Sequence, residues 1–187
     1  MSPLTPPVSA DDHSIGPAWA PVTLVEYGDY ECPYCGIAYE IVKTVRRALD
    51  DKIRFVFRNF PLAEIHPHAR QAAQAAEAAG AQGKFWEMHD MLFENQDALE
   101  EEDLLRYARK LGLDADRIAR ELKAQTFAKR VRDDFRRGVR SGANNTPTFF
   151  INGERYDGSW EDADAFTRVL RDAAKQPTRR APLTAEA

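Results

Sequence analysis

The chain has 187 residues and a formal net charge of −4 at pH 7, and 43% of its residues are hydrophobic. A chain of this length can bury a hydrophobic core without disulfide staples. The acidic balance argues against nucleic acid as the main partner. No stretch approaches the ~18 consecutive apolar residues of a membrane span, so a membrane is not an expected partner either.

The pattern predicts one domain over residues 18–175 between two polar tails. Residues 1–17 are rich in proline and serine, and residues 176–187 follow the last predicted helix; both are predicted to be flexible. The first ten residues lack the basic segment and apolar core of a signal peptide. We expect a cytoplasmic location if Met1 is the native start, and a periplasmic one if a leader has been trimmed.

The domain begins with a predicted strand, a cysteine pair and a helix. Residues 22–27 are β-branched and apolar, as in a buried strand. Residues 36–49 have the pattern of an amphipathic helix, whose apolar residues Ile37, Ile41, Val45 and Leu49 are spaced four apart. Between them lie Cys32 and Cys35, the only cysteines of the chain. A C-x-x-C pair where a strand ends and a helix begins is typical of a redox site.

The helix start gives this pair its expected chemistry. Unpaired N–H groups and the positive end of the helix dipole stabilise a thiolate, so Cys32 is expected to be the exposed attacking thiol. Cys35, one turn into the helix, would resolve the mixed disulfide, and Pro33 fits the first turn. Because Asp29 and Glu31 are nearby, only a moderate acidification of Cys32 is expected.

Zinc binding is the alternative for a C-x-x-C pair. Structural zinc takes four nitrogen or sulfur ligands, usually as two closely spaced pairs. The chain has no second cysteine pair, and its histidines lack the matching spacing; they are His13, His66, His68 and His89. We therefore expect no metal site, and assign the histidines of 66–68 to a helix start and His89 to a core helix.

A strand over residues 53–60 precedes a helix-rich segment at about 62–142. Helices are predicted over 67–79, 85–93 and 101–111, with a fourth helical region from Asp114. In that last region apolar residues recur at four-residue spacing, at Phe127, Val131, Phe135 and Val139. It also carries a basic face, made of Lys129, Arg130, Arg132, Arg136, Arg137 and Arg140. A solvated helix face is the first interpretation of these charges, and a docking patch for an acidic partner is the alternative.

The last part of the domain reads as a hairpin and a helix. Residues 148–151 form a short apolar strand, Asn152-Gly153 is a turn signal, and 154–156 can return as a second strand. Pro147 stands immediately before the first strand, where proline is tolerated. A final helix is predicted over 161–174.

These motifs identify the chain as similar to the DsbA-like branch of the thioredoxin superfamily. The matching residues are 25–35, Val-Glu-Tyr-Gly-Asp-Tyr-Glu-Cys-Pro-Tyr-Cys, and Thr146-Pro147-Thr148. The resemblance implies an α/β thioredoxin fold, a central mixed sheet flanked by helices, with an inserted all-helical subdomain. It also implies a cis Thr146–Pro147 peptide facing the cysteines, and substrate contacts from Pro33, Tyr34, Thr146 and Pro147.

Glu26 matches the position of a buried acid in thioredoxin-like proteins. Buried there, its carboxylate would have a raised pKa and would accept the proton of Cys35 during resolution. A solvent-exposed glutamate at a strand edge is the alternative. Many relatives pair this acid with a lysine on the next strand, where this chain offers Arg54 and Arg58.

The resemblance implies a thiol–disulfide oxidoreductase whose partners are disulfide- or thiol-containing protein substrates. The acidic surroundings and cytoplasmic expectation favour a reductase or isomerase over an oxidase. No bound cofactor is expected, although glutathione or a thioredoxin system would recycle the pair. The alternatives are a glutathione-dependent transferase or isomerase on the same fold, and a non-catalytic chaperone-like binding module.

Overall fold

The computed structural model describes residues 3–176. Within this range the chain forms five strands and seven helices, with a 3₁₀ turn at Asp50–Lys52. In chain order they are β1 (His13–Ile15), β2 (Val22–Gly28), α1 (Pro33–Leu49), β3 (Ile53–Asn59), α2 (Ala69–Gly80), α3 (Phe85–Phe93), α4 (Glu101–Lys110), α5 (Ala115–Lys123), α6 (Ala128–Arg140), β4 (Thr148–Ile151), β5 (Glu154–Tyr156) and α7 (Ala163–Lys175).

The described strands form one mixed sheet in the order β1-β3-β2-β4-β5. β2 pairs in parallel with β3 and antiparallel with β4, because the right-handed α1 crossover joins the first pair and the helical insertion reverses the chain before β4. β2, whose side chains are nearly all buried, is thus the central strand. The residues that follow it, including the cysteine pair, lie over the middle of the sheet.

Helices cover both faces of this sheet, and the expected thioredoxin fold with a helical insertion is confirmed. α1 packs against α7 and α3, while α2 packs against the other helices of the insertion, α3 to α6. The alanines of α2 are almost all buried, because small side chains let these helices approach closely. None of the described helices is both long and apolar enough to span a membrane.

The structure contradicts the predicted N-terminal tail. Leu4 is buried, and residues 13–15 form β1, which pairs with the edge of β3. Behind it the fully buried guanidinium of Arg58 bonds to both carboxylate oxygens of Asp12, at 2.8 and 2.9 Å. It also donates to the Tyr27 hydroxyl and to two carbonyls of the segment. A buried charge with this many partners holds residues 3–17 on the sheet.

Other predicted elements need smaller corrections. The fourth helical region is two helices, α5 and α6, because Gln125 adopts a left-handed φ of 54° between them. Ile37 is 50% exposed rather than buried, since α1 turns Ala38 and Tyr39 toward the core instead. Residues 177–187 of the predicted C-terminal tail lie outside the described part of the chain.

Candidate active site

The cysteine pair lies at the first turn of α1, as the sequence predicts. Cys32 is the N-cap residue with extended backbone, and Pro33 occupies the first turn. The carbonyl of Cys32 accepts hydrogen bonds from the N–H groups of Cys35 and Gly36. The Cys35 sulfur, fully buried, accepts a bond from the N–H of Asp29 at 3.4 Å. The helix start therefore holds both sulfurs beside unpaired amide groups.

The two thiols have opposite acidities. The pKa of Cys32 falls from 9.0 to about 5, first because the Cys35 thiol donates a hydrogen bond to its sulfur. The Thr146 side chain and the N–H groups of Cys35 and Tyr34 contribute to the same shift, whereas burial opposes it. The pKa of Cys35 is raised well above 9.0, chiefly by burial. Cys32 is thus a thiolate near neutral pH, and Cys35 is a thiol.

This acidification is stronger than the moderate one expected from the nearby carboxylates. Asp29 is buried, and its Oδ2 accepts a bond from the N–H of Leu62 at 2.8 Å and lies 2.8 Å from His66 Nδ1. Glu31 accepts a bond from the N–H of His68 at 2.6 Å and lies 2.9 Å from its Nδ1. Each carboxylate therefore accepts a hydrogen bond from a backbone N–H and lies next to a histidine ring nitrogen.

His66 and His68 thus have a role that the sequence analysis missed. They come from the loop after β3, 37 residues from the carboxylates they contact. Their proline-separated spacing lets neighbouring side chains reach two acids on the loop before Cys32. Spacing alone carried no signal for this pairing, because it depends on where the two loops meet.

Cys32 is also less exposed than expected. Only 4% of the residue is accessible, whereas Pro33 is exposed and Tyr34 is 59% exposed. The loop before β4 covers the sulfur, which lies 3.5 Å from the carbonyl oxygen of Thr146. The Thr146–Pro147 peptide is cis. The structure therefore brings Cys32 and Thr146 together, and leaves Pro33 and Tyr34 exposed beside the sulfur on the first turn of α1.

Glu26 is buried in the centre of β2, with 2% of its surface accessible. Burial raises its pKa from 4.5 to about 8, and the charge of Cys32 adds to the shift. Neither arginine of β3 is its partner: Arg58 is bound by Asp12, and Arg54 donates to Ser14. Among the described residues, no group hydrogen-bonds to Glu26 Oε1. The acid is thus placed beneath the cysteines without a cation.

Gln96, in the loop after α3, is a second contact that the sequence analysis missed. Its Nε2 donates to the carbonyls of Tyr30 and Cys32, at 2.8 and 2.9 Å. A Cβ at Gly36 would lie 2.1 Å from the Gln96 Oε1, so a larger residue there would displace the Gln96 side chain. The insertion therefore holds the cysteine loop through the two hydrogen bonds of Gln96. No feature of the sequence around Gln96 marks it for this role.

Metal binding has no support in the described part of the chain. Over residues 3–176, no group of three or more histidine, cysteine, aspartate or glutamate side chains is arranged to hold a metal ion. The predicted alternative of a zinc site would need two more ligands near the cysteine pair.

The mixed sheet, the helical insertion and the C-x-x-C helix start together define a protein of the thioredoxin type. The chain matches the family model described as Thioredoxin over residues 9–172. It therefore belongs to this family, within the DsbA-like branch of the thioredoxin superfamily. This confirms the resemblance found in the sequence.

Solved structures with related folds support the same assignment. Oxidised BdbD from Bacillus subtilis superposes with a TM-score of 0.79 and 26% identity, covering 88% of this chain and 94% of that one. A thioredoxin-like oxidoreductase from Silicibacter pomeroyi has a TM-score of 0.78 and 28% identity, covering 90% and 95%. The fold and most of its length are thus shared with thiol–disulfide proteins.

Curated relatives with higher identity are longer proteins. The Na(+)/H(+) antiporter NhaA 1 of Salinispora arenicola is 46% identical over 192 residues, covering 96% of this chain but 29% of the relative. The chain therefore spans less than a third of that protein. The antiporter name describes the longer protein.

Proposed function

We propose that the protein exchanges disulfides with protein substrates through Cys32 and Cys35. The observation that carries this proposal is the paired geometry of the two sulfurs at the start of α1, which makes Cys32 a thiolate and Cys35 its buried hydrogen-bond donor. A thiolate of this kind is the nucleophile that thiol–disulfide exchange needs.

The proposed cycle begins when the Cys32 thiolate attacks one sulfur of a substrate disulfide. The substrate S–S bond breaks, the leaving sulfur departs as a thiolate that takes up a proton, and a mixed disulfide forms. Cys35 then attacks the Cys32 sulfur, releasing the second substrate thiol and leaving the Cys32–Cys35 disulfide. The same steps in reverse transfer a disulfide to a substrate dithiol.

Glu26 is the proposed proton acceptor for Cys35 in this cycle. Its charge is close enough to raise the pKa of Cys35, and its own pKa of about 8 lets it take or give a proton near neutral pH. Pro33, Tyr34, Thr146 and Pro147 are the proposed substrate contacts, because the first two are exposed next to Cys32 in sequence and the Thr146 carbonyl lies 3.5 Å from its sulfur.

The expected redox potential lies between those of thioredoxin and DsbA. A cysteine pKa of about 5 falls between their values of about 7 and about 3.5, and a more stable thiolate makes the disulfide more oxidising. The carboxylates that favoured a reductase, Asp29 and Glu31, accept hydrogen bonds from the loop after β3, and the pKa of Cys32 is lowered to about 5 in their presence. The protein is therefore proposed to isomerise or form disulfides rather than to reduce them. Glutathione or a thioredoxin system is the proposed recycling partner.

An equilibrium titration of the full chain against glutathione buffers tests this proposal. We expect a potential between about −270 and about −120 mV, and the value also indicates the compartment, because strong oxidants act where disulfides persist. Cys35→Ser should trap a mixed disulfide with a peptide, and Cys32→Ser should form none. If the wild-type chain forms no disulfide, or if Cys32→Ser still exchanges disulfides, the proposal is wrong.

The same variants test the chaperone alternative. A binding module would hold unfolded chains equally well with serine at position 32 and would show no disulfide turnover in the wild type.

A further inference from the structure

A groove of about 750 Å³ opens between the helical insertion and the loop after β3. One wall is the loop of residues 61–65, and the other is α6, with α2 beneath them. Asn144 closes one end. The groove is large enough for several residues of an extended polypeptide.

Two of its lining residues connect the groove to the surroundings of the reactive sulfur. Leu62 donates its N–H to Asp29, three residues before Cys32. Asn144 is two residues before Thr146, whose carbonyl oxygen lies 3.5 Å from the Cys32 sulfur. Since two residues span at most about 7 Å, a chain bound at Cys32 can reach this groove within a few residues.

Apolar side chains make up much of the lining. Val131 and Phe135 project from α6, and Leu62 and Ile65 face them from the loop. Ile65 is 70% exposed, so its side chain offers apolar surface beside the groove. Of the predicted apolar stripe of α6, the two middle residues, Val131 and Phe135, line the groove.

Positive charge surrounds this apolar lining. Arg70, Arg132 and Arg136 line the groove and are exposed, whereas Glu64 is the acidic residue among the lining. Among residues 3–176, no carboxylate lies within 4.0 Å of these three guanidinium groups. The basic groove contrasts with the net charge of −4 of the whole chain.

Three other basic residues of α6 have acidic partners on the same helix. Arg130 and Arg137 lie 3.6 and 3.7 Å from the buried carboxylate of Asp134, and Lys129 lies 2.6 Å from Asp133. Of the remaining three, Arg132 and Arg136 line the groove and Arg140 lies outside it. The basic face of α6 therefore divides into a paired part and a part in which two arginines face the groove.

We propose that this groove binds an extended segment of the protein substrate in which an apolar residue and acidic residues lie next to the reactive cysteine. The apolar lining would take the apolar side chain, and the arginine rim would pair with the carboxylates. This proposal rests on the proposed function, because it names the substrate class of the same site.

Three peptides that differ only in charge test it. Each carries one cysteine blocked as a 2-pyridyl disulfide, one leucine beside it, and flanking residues that are glutamate, glutamine or lysine. The reduced full-length chain with Cys35→Ala attacks the peptide sulfur through Cys32, forms the mixed disulfide and releases pyridine-2-thione, whose absorbance gives the rate. The leaving group is neutral, so the charge difference comes from the peptide alone.

The arginine variants supply the matched comparison. Arg132→Gln with Arg136→Gln removes two charges from the groove. Arg109→Gln with Arg140→Gln removes two charges from exposed positions outside it. The first pair tests the groove, and the second tests the effect of net charge alone.

We expect the parent chain to react with the glutamate peptide about three- to ten-fold faster than with the glutamine peptide at low salt, and more slowly with the lysine peptide. The groove pair should bring these rates together, while the control pair should leave their ratio unchanged. Equal rates for the three peptides, or equal losses in both variant pairs, would overturn the proposal.

Two further outcomes are distinguishable. If no peptide forms a mixed disulfide, the proposed function itself fails. If the groove is instead filled by a second copy of the chain, the groove pair changes the sedimentation of the protein while the peptide ratios stay the same, and the substrate proposal is wrong.

Discussion

Glu26→Gln removes a buried carboxylate from the centre of the sheet without changing the shape of the side chain. In the folded protein this carboxylate has a pKa of about 8, against 4.5 for an ordinary glutamate, and burial is the first cause. The group therefore binds a proton more tightly in the folded state than in the unfolded state between these two pH values. The wild-type protein should lose stability from this group as the pH rises through that window.

The magnitude follows from the pKa difference. Each pKa unit corresponds to about 1.4 kcal/mol, so ionised Glu26 destabilises the folded state by about 5 kcal/mol once the pH exceeds about 8. Below about pH 4.5 the contribution disappears, because both states are protonated. The variant lacks this titration, and any unfavourable burial of its amide adds an offset that does not depend on pH.

Guanidinium unfolding of wild type and variant from about pH 4.5 to about pH 9 measures the effect. It is best done on the oxidised protein, in which the cysteines do not titrate and burial, the first cause of the raised pKa of Glu26, remains while the charge of Cys32 is absent. The free energy of unfolding of Glu26→Gln should rise relative to wild type by several kcal/mol across this range, and Glu26→Leu should show the same slope with a different offset. A difference that stays constant with pH, or shrinks as the pH rises, would refute the assignment of Glu26 as a buried, uncompensated acid.

Three more outcomes are expected. The ultraviolet absorbance of the Cys32 thiolate in the reduced protein should titrate with a midpoint near pH 5, and a midpoint above about pH 7 would contradict strong acidification. Gln96→Ala should lower the free energy of unfolding by about 1–3 kcal/mol, because the Tyr30 carbonyl loses its side-chain donor and the Cys32 carbonyl loses one of three donors; thermal unfolding with no change would show that water replaces the side chain. Asp12→Ala should lower the free energy of unfolding by about 3–5 kcal/mol, because it leaves the buried charge of Arg58 unpaired. Asp11→Ala, at an exposed site, should change the free energy of unfolding by no more than about 0.5 kcal/mol in the same denaturant series.

Elements with strong local signals were predictable from sequence. β2 and β3 are runs of apolar and β-branched residues, and the turn between β4 and β5 carries Asn152-Gly153, both with positive φ in the structure. The helix start at Pro33 follows from local chemistry as well. These signals lie within a few residues of the feature that they specify.

Features that depend on distant contacts were not predictable. β1 has only three residues, and its strand conformation comes from pairing with β3, about forty residues later. Gln96 reaches the carbonyl of Cys32 across 64 positions of sequence. The acidity of Cys32 was underestimated in part for the same reason, because Thr146, one of the groups whose hydrogen bonds lower its pKa, lies 114 positions away in sequence.

Arg58 shows that the sheet face on which a side chain lies determines which residues it can contact. Side chains alternate along β3, and Arg58 stands opposite Tyr27 in the register, while Phe57 stands opposite Glu26. Arg58 therefore points to the face of the sheet away from the acid. Once the register of β2 and β3 is known, the alternation of side chains along both strands excludes Arg58 as a partner of Glu26.

The packed N-terminal segment also bears on how this fold avoids association. β1 covers the outer edge of β3, whose unpaired N–H and C=O groups would otherwise be available to a strand from another molecule. A shortened chain that starts after residue 17 would expose this flat, largely apolar edge and leave the guanidinium of Arg58 without its carboxylate. The short segment is therefore a built-in guard against edge-to-edge aggregation, and domain boundaries drawn at the first long strand would remove it.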